Sequence, residues 1–246
     1  MTITAEVGAE TSAGLSPLDP DAFVAALRAQ APQYHDRHPF HVLMNDGQLN
    51  QRQIQGWVAN RFYYQEIIPI KDAAILSNCP YPEVRRRWIK RVLDHDGEAE
   101  GRGGTEAWLR LAEAVGLDRK DVLDEHLVVP TVRFAGDAYV TFARTRPWIE
   151  GVASSLTELF APDLMSTRIA AFERHYTWVD PDGLAYFRAR LTLAPRDAEH
   201  AIELVTRYCT TREQQDLAVR ALAFKCDVLW SILDGIHHAY VENPRE

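Results

Sequence analysis

Cysteine is scarce in this sequence. Cys79, Cys209 and Cys226 are the only three, and no two form a CxxC pair. That removes the ligand spacing of a zinc ribbon and of a dithiol redox motif. It leaves isolated thiols suited to a reducing compartment, with Lys225 beside Cys226 as the one local feature favouring a reactive thiolate. Lysine is scarce too. Only Lys71, Lys90, Lys120 and Lys225 occur among 27 basic residues, so the rest are arginines. No apolar run reaches the ~18 residues that a membrane span needs. Residues 1–17 carry neither the basic nor the apolar segment of a secretory leader. A cytoplasmic protein without membrane contact is therefore expected. A basic surplus is absent as well: 35 acidic against 27 basic residues gives −8 with histidine neutral. General nucleic-acid binding needs a net basic face to neutralise phosphates, so that class is disfavoured. No glycine-rich phosphate loop, GxSxG elbow or HExxH pair occurs.

What is present is a chain of 246 residues, 46% hydrophobic and 25% charged, ordinary globular usage and long enough to bury a core without disulfides. Residues 1–17 are small and polar and read as a flexible tail. From residue 18 to 246 the pattern predicts one all-helical domain, a compact bundle with short connections. Asp19-Pro20-Asp21 opens a first helix with Phe23 and Leu27 on one side. Gln51 to about Tyr64 forms a second, interrupted by Pro69. Pro80 and Pro82 introduce a third through Leu93. Thr105 is expected to cap the helix carrying Trp108, Leu109 and Leu111. Pro130 opens a helix through Phe142, and Pro147 precedes one through Phe160. Pro162 and Pro181 precede two more. Thr211 to about Tyr240 repeats apolar residues at helical spacing. Val128-Val129 is too brief for a strand, and no period of 20–50 residues appears.

Chemistry-bearing residues recur at helical spacing. Arg61, Tyr64 and Gln65 share one face, amid aromatics where a buried guanidinium needs an anion or other acceptors. Arg91 and His95 are four apart, as are Tyr186 and Arg190, with Arg188 turned away. Such faces suit a polyanionic, ring-containing ligand, although each also fits an intrahelical pair or a snorkelling arginine. Lys225 lies in the most apolar helix, either paired with Asp227 or Asp234, reaching the surface, or buried with a depressed pKa. His35, His38 and His41 mimic a metal-ligand cluster, but Pro39 breaks the helix between them. His95-x-x-Glu98 and His200-x-x-Glu203 reverse the order used by di-iron bundles, and Glu158 is one plausible inward acid. No metal site is expected. His95 can serve instead as a general base or stand as a helix-end imidazole between two aspartates.

Longer words carry a resemblance: Tyr34-His-Asp-Arg-His-Pro-Phe-His41, Gln55-Gly-Trp-Val-Ala-Asn-Arg-Phe-Tyr-Tyr-Gln65, Ile70-Lys-Asp-Ala-Ala74 and Arg91-Val-Leu-Asp-His-Asp-Gly97. They continue with Glu106-Ala-Trp-Leu-Arg-Leu111, Ser155-Leu-Thr-Glu-Leu-Phe-Ala-Pro162, Tyr186-Phe-Arg-Ala-Arg190 and Phe224-Lys-Cys-Asp-Val-Leu-Trp230. In this order, over residues 18 to 240, the chain resembles the pyrroloquinoline quinone biosynthesis protein C family, the pyrroloquinoline-quinone synthases. Thiaminase II/TenA-like and heme-oxygenase-like di-iron proteins share only the helical character.

The resemblance implies a heme-oxygenase-like bundle, a homodimer and the final step of pyrroloquinoline quinone synthesis. In that step a quinone precursor with three carboxylates and an amine undergoes ring closure and eight-electron oxidation. Molecular oxygen is the co-substrate, hydrogen peroxide is released, and no metal or organic cofactor takes part. The family's pocket carries over to Tyr34, Arg61, Tyr64, Gln65, Lys71, Arg91, Thr157, Glu158 and Arg168 for substrate binding. For catalysis it carries over to His95 as first-choice base, with His35, Tyr186, Arg190, Lys225 and Tyr139. A ligand-carrying protein without turnover and a di-iron oxygenase are the competing readings.

Overall fold

A computed structural model describes residues 15–243. Eleven α-helices occupy the described residues, and no strand occurs among them. They are α1 (Pro20–Arg28), α2 (Pro39–Asn45), α3 (Gln51–Asn78), α4 (Pro82–Asp96), α5 (Gly103–Ala114) and α6 (Arg119–Leu123). After these come α7 (Pro130–Thr145), α8 (Trp148–Ser154), α9 (Ala161–His175), α10 (Ala185–Tyr208) and α11 (Arg212–His237). Most of the expected tail, residues 1–14, lies outside the described residues; Leu15 to Asp19 lead into α1 without helical structure. None of these helices is long and apolar enough to cross a membrane.

Local chemistry explains the starts. The Asp19 carboxylate accepts the Ala22 N–H at 2.9 Å, and Pro20 supplies a preset φ at the first helical position. Reciprocal capping boxes open the two longest helices, Asn50 with Gln53 on α3 and Thr211 with Gln214 on α11. Prolines also open α2, α4 and α7. At its far end α4 stops at Gly97, whose φ of +83° suits glycine. A Cβ at Gly103 would come within 2.5 Å of the His95 carbonyl oxygen. This close turn seats the end of α4 that bears His95.

Three expectations need correction. Pro69 does not end the second helix: α3 runs through it to Asn78, and Pro195 likewise lies inside α10. A proline deletes one hydrogen bond, but α3 is buried on nearly all sides by α4, α5, α7 and α8, and that packing holds it together. Thr105 does not cap α5; it lies within the helix and its hydroxyl has no partner. The helix expected from Pro147 to Phe160 splits into α8 and a 3-10 segment, Ser155–Leu159, which turns Thr157 and Glu158 inward.

The core is aromatic where it borders the site. Trp57 and Trp108 meet edge to face with centroids 5.4 Å apart, and Phe187 packs against both. The Trp108 indole donates to the Val58 carbonyl at 2.9 Å. All three cysteines are buried free thiols. Burial pushes the Cys226 thiol up to about 12 and outweighs Lys225, so the reactive-thiolate reading of Cys226 falls.

Candidate active site

A cavity of about 50 Å³ lies where α3, α4, α9, α10 and α11 converge. Two grooves elsewhere are larger, about 810 and 880 Å³, but buried ionisable side chains gather at the small cavity and at a pocket of about 180 Å³ that shares His95, Tyr186 and Arg190 with it. Tyr34, His35, Arg61, Tyr64, His95, Thr157, Glu158, Arg168, Tyr186 and Arg190, all expected from the sequence, line it. The other five expected residues stand one layer behind. Gln65 accepts the Tyr186 hydroxyl at 2.9 Å. Lys225 donates to the Tyr64 hydroxyl and lies 3.6 Å from the centre of the Tyr139 ring. Lys71 and Arg91 point to buried carboxylates.

Charge in this region is organised around three acids. Asp72, fully buried, accepts from Lys71 at 2.6 Å, from the Trp88 indole at 3.0 Å and from Arg91 at 3.4 Å. Asp197 reaches Arg91 at 2.9 Å and Arg190 at 3.5 Å. Glu158 pairs with Arg190 at 2.5 Å and Arg91 at 3.5 Å. Burial would raise the Asp72 and Glu158 carboxyls, but their cationic partners hold both below the ordinary value. Of the basic side chains at or directly behind the cavity, Arg61, Arg168 and Lys225 form no ion pair with a carboxylate among the described residues, unlike Lys71, Arg91 and Arg190. Burial pushes Lys225 well below its ordinary pKa, aided by Arg61 and Lys71. The expected pairing with Asp227 or Asp234 is not formed, because Asp234 pairs with His38 at 3.0 Å and Asp227 is exposed. Arg61 Nη1, Gln65 Nε2 and Arg168 Nε are buried donors without an acceptor. A buried unpaired donor is costly unless a ligand completes it.

Sequence reasoning passed over Asp72, Asp197 and, as anything but a metal candidate, His41. Asp72 stood inside the Ile70–Ala74 word as a charge in an apolar stretch. Asp197 lies seven residues after Arg190, two helical turns along the same face. The apolar lining of Ile68, Trp108, Ala161, Met165 and Leu229 carried no signal beyond ordinary core. The histidine triplet splits as Pro39 implied: His35 and His41 approach within 3.3 Å, while His38 faces Asp234. Among the described residues no group of three or more His, Cys, Asp or Glu has the geometry to hold a metal ion.

The buried imidazoles set a pH response. Burial pushes His95 and His200 down to about 4, and His35 and His41 well below the ordinary 6.5. A depressed histidine pKa means that the unfolded chain binds protons the fold refuses, so this stability is complete above 6.5 and lost as pH falls towards 4. Glu66 opposes the trend, since burial and Glu125 raise it to about 7, and burial also raises the Asp96 and Glu150 carboxyls. These three carboxyls do not offset five histidines, since burial lowers His38 as well. The melting temperature should therefore fall steadily between pH 7 and pH 5 in scanning calorimetry. A flat or rising profile across that interval would show that these imidazoles are not held neutral.

A closed helical cage with its polar site at the centre is the heme oxygenase-like arrangement. A heme oxygenase-like domain from Shewanella denitrificans superposes with a TM-score of 0.75 at 16% identity, over 90% of this chain and 93% of that one. A TenA homologue from Pseudomonas syringae gives 0.71 at 10% identity, over 89% and 92%. The TENA/THI-4/PQQC family model matches residues 24–235, and the chain belongs to that family. Within it, the sequence is 55% identical over 222 residues to a pyrroloquinoline-quinone synthase of Acinetobacter baylyi, covering 90% of this chain and 87% of the relative. It is 56% identical over 223 residues to that of Cronobacter sakazakii, covering 91% and 89%.

Proposed function

We propose that this chain is a pyrroloquinoline-quinone synthase. It acts on a quinone precursor bearing three carboxylates and an amine, in the last step of pyrroloquinoline quinone formation. The observation that carries the reading is the set of three basic side chains without carboxylate partners, Arg61, Arg168 and Lys225, around one buried cavity. A tricarboxylate supplies carboxylates for both cavity-lining guanidiniums, whose forks suit them, while Lys225 stands behind Tyr64. The cavity, about 50 Å³, is well below the roughly 300 Å³ or more of a typical ligand site, so binding includes an expansion of the cage.

In this reading the clamp orients the amine against the ring carbon, an entropic contribution, while the closed site excludes water. Ring closure forms a carbon–nitrogen bond and releases protons; His95 takes them first. The reduced quinoid substrate itself gives up the eight electrons. Each dioxygen that accepts two electrons and two protons leaves as hydrogen peroxide. Tyr186 and His35 stand as hydrogen-bonding partners, and Tyr139 and Lys225 stabilise developing charge. No metal or organic cofactor is needed, and the protein works as a cytoplasmic homodimer.

The test is to mix metal-stripped protein with the tricarboxylate precursor in aerated buffer and follow the spectrum and oxygen uptake through one turnover. The oxidised tricyclic quinone should appear with oxygen consumed. Conversion only after iron is added would overturn the metal-free mechanism. Tight binding without conversion under either condition would leave a carrier.

A further inference from the structure

We propose that His41 is a positioning residue that fixes the tautomer of His35, so that His35 offers the cavity an N–H donor while His95 offers it a bare ring nitrogen. His41 is buried and lies on α2, outside the cavity lining. Its Nε2 is 2.9 Å from Arg168 Nη2. A guanidinium only donates, so that nitrogen accepts and carries no proton. The single proton of neutral His41 therefore rests on Nδ1, which donates to the His35 carbonyl at 2.9 Å. The same Nδ1 lies 3.3 Å from His35 Nδ1. A proton on His35 Nδ1 would oppose the His41 proton directly, so His35 Nδ1 carries a lone pair and its proton is on Nε2. Burial, His41, Arg61, Arg168 and Lys225 all disfavour the doubly protonated ring.

His95 is set the other way. Its Nδ1 is 3.0 Å from the Arg91 carbonyl, which only accepts, so Nδ1 carries the proton and Nε2 the lone pair. Both rings line the cavity, and neither Nε2 is among the sealed-off unpartnered atoms. Two histidines of the same type thus present opposite polarity to one ligand. The chain Arg168 to His41 to His35 ends as a donor, suited to an acidic or carbonyl oxygen; only His95 is ready to take a proton. The tautomers stand on geometry alone, whereas the ligand roles rest on the proposed synthase reading.

The experiment is a long-range proton–nitrogen correlation spectrum of the resting full-length protein labelled with nitrogen-15 in its histidines. His35 signals are assigned by their loss in His35→Asn. His35 should show a proton on Nε2 and His41 and His95 on Nδ1. A proton on His35 Nδ1, or averaging between both nitrogens, overturns the proposal. Two variants divide the two ends of His41. The amide nitrogen of asparagine lies where Nδ1 was, so His41→Asn should keep the single His35 tautomer. The amide of glutamine lies where Nε2 was, so His41→Gln should yield a mixture and weaken binding of pyrroloquinoline quinone about tenfold, the size of one charge-assisted hydrogen bond. The same tautomers in both variants would remove His41 from the role. The spectrum needs no turnover, so a protein that shows these tautomers but converts no precursor would sink the synthase reading and leave the relay intact.

Discussion

His95→Ala should lower kcat by roughly a hundredfold to ten-thousandfold, the usual contribution of a positioned general base, while the product still binds within severalfold of wild type. The Arg91 carbonyl holds one ring nitrogen as a donor at 3.0 Å, and the other faces the cavity. A pKa near 4 makes the resting imidazole wholly available but weakly basic. After burial, Arg190 is the largest cause of that depression. A ligand carboxylate brought into the cavity that His95 lines adds negative charge beside the ring and returns His95 towards the working range. The pH profile of kcat should therefore show an acidic limb above the one that kcat/KM shows for the free enzyme. Single-turnover spectra and a titration with pyrroloquinoline quinone separate chemistry from binding. Undiminished turnover would remove His95 from the base role; equal losses of binding and turnover would make it a contact residue.

Much of the site was legible because helix geometry is short-ranged. Arg61 with Tyr64 and Tyr186 with Arg190 reach one cavity, as spacings of three and four require. The helical class followed from propensity and from prolines at helix starts. What stayed hidden depends on packing between distant elements. Pro69 reads as a break locally, and only burial on all sides of α3 overrides it. Lys225 offered two nearby aspartates as partners, yet the fold turns it to Tyr64 and Tyr139, which lie 161 and 86 residues away in sequence. Which basic residues touch the cavity and which brace it from behind is not encoded in spacing. Gln65 adjoins Tyr64 on the same face but serves Tyr186 from the second layer. The brace itself, Asp72 and Asp197, comes from α3 and α10 and meets only through the arginine of α4.

Asp72→Ala should be the most destabilising single change at the site, by about 3–5 kcal/mol, the range for removing one partner of a buried ion pair. For a chain of this length that corresponds to a fall in melting temperature on the order of 6–20 °C. Asp72 has no exposed surface and anchors three donors from two helices. Arg91 keeps Asp197 and Glu158 when it is lost, but Lys71 keeps no carboxylate, only the Ser155 hydroxyl at 3.0 Å and the Tyr139 ring at 5.4 Å. The buried ammonium is thus the main source of the loss. Asp72→Asn, which keeps an acceptor of the same size, should lose less. The depressed carboxyl contributes above its ordinary pKa and the contribution fades as pH falls through the folded value. The gap between wild type and Asp72→Asn should therefore be full at pH 7 and close only in strong acid. Denaturant titration measures each quantity, and a loss under about 1 kcal/mol in Asp72→Ala would mean that water reaches Lys71. Adding Lys71→Met to Asp72→Ala removes the stranded charge at similar volume and should return part of the stability. If the double variant is no more stable than Asp72→Ala, the cost lies instead in the Trp88 and Arg91 bonds that hold α4, and with it His95, against α3.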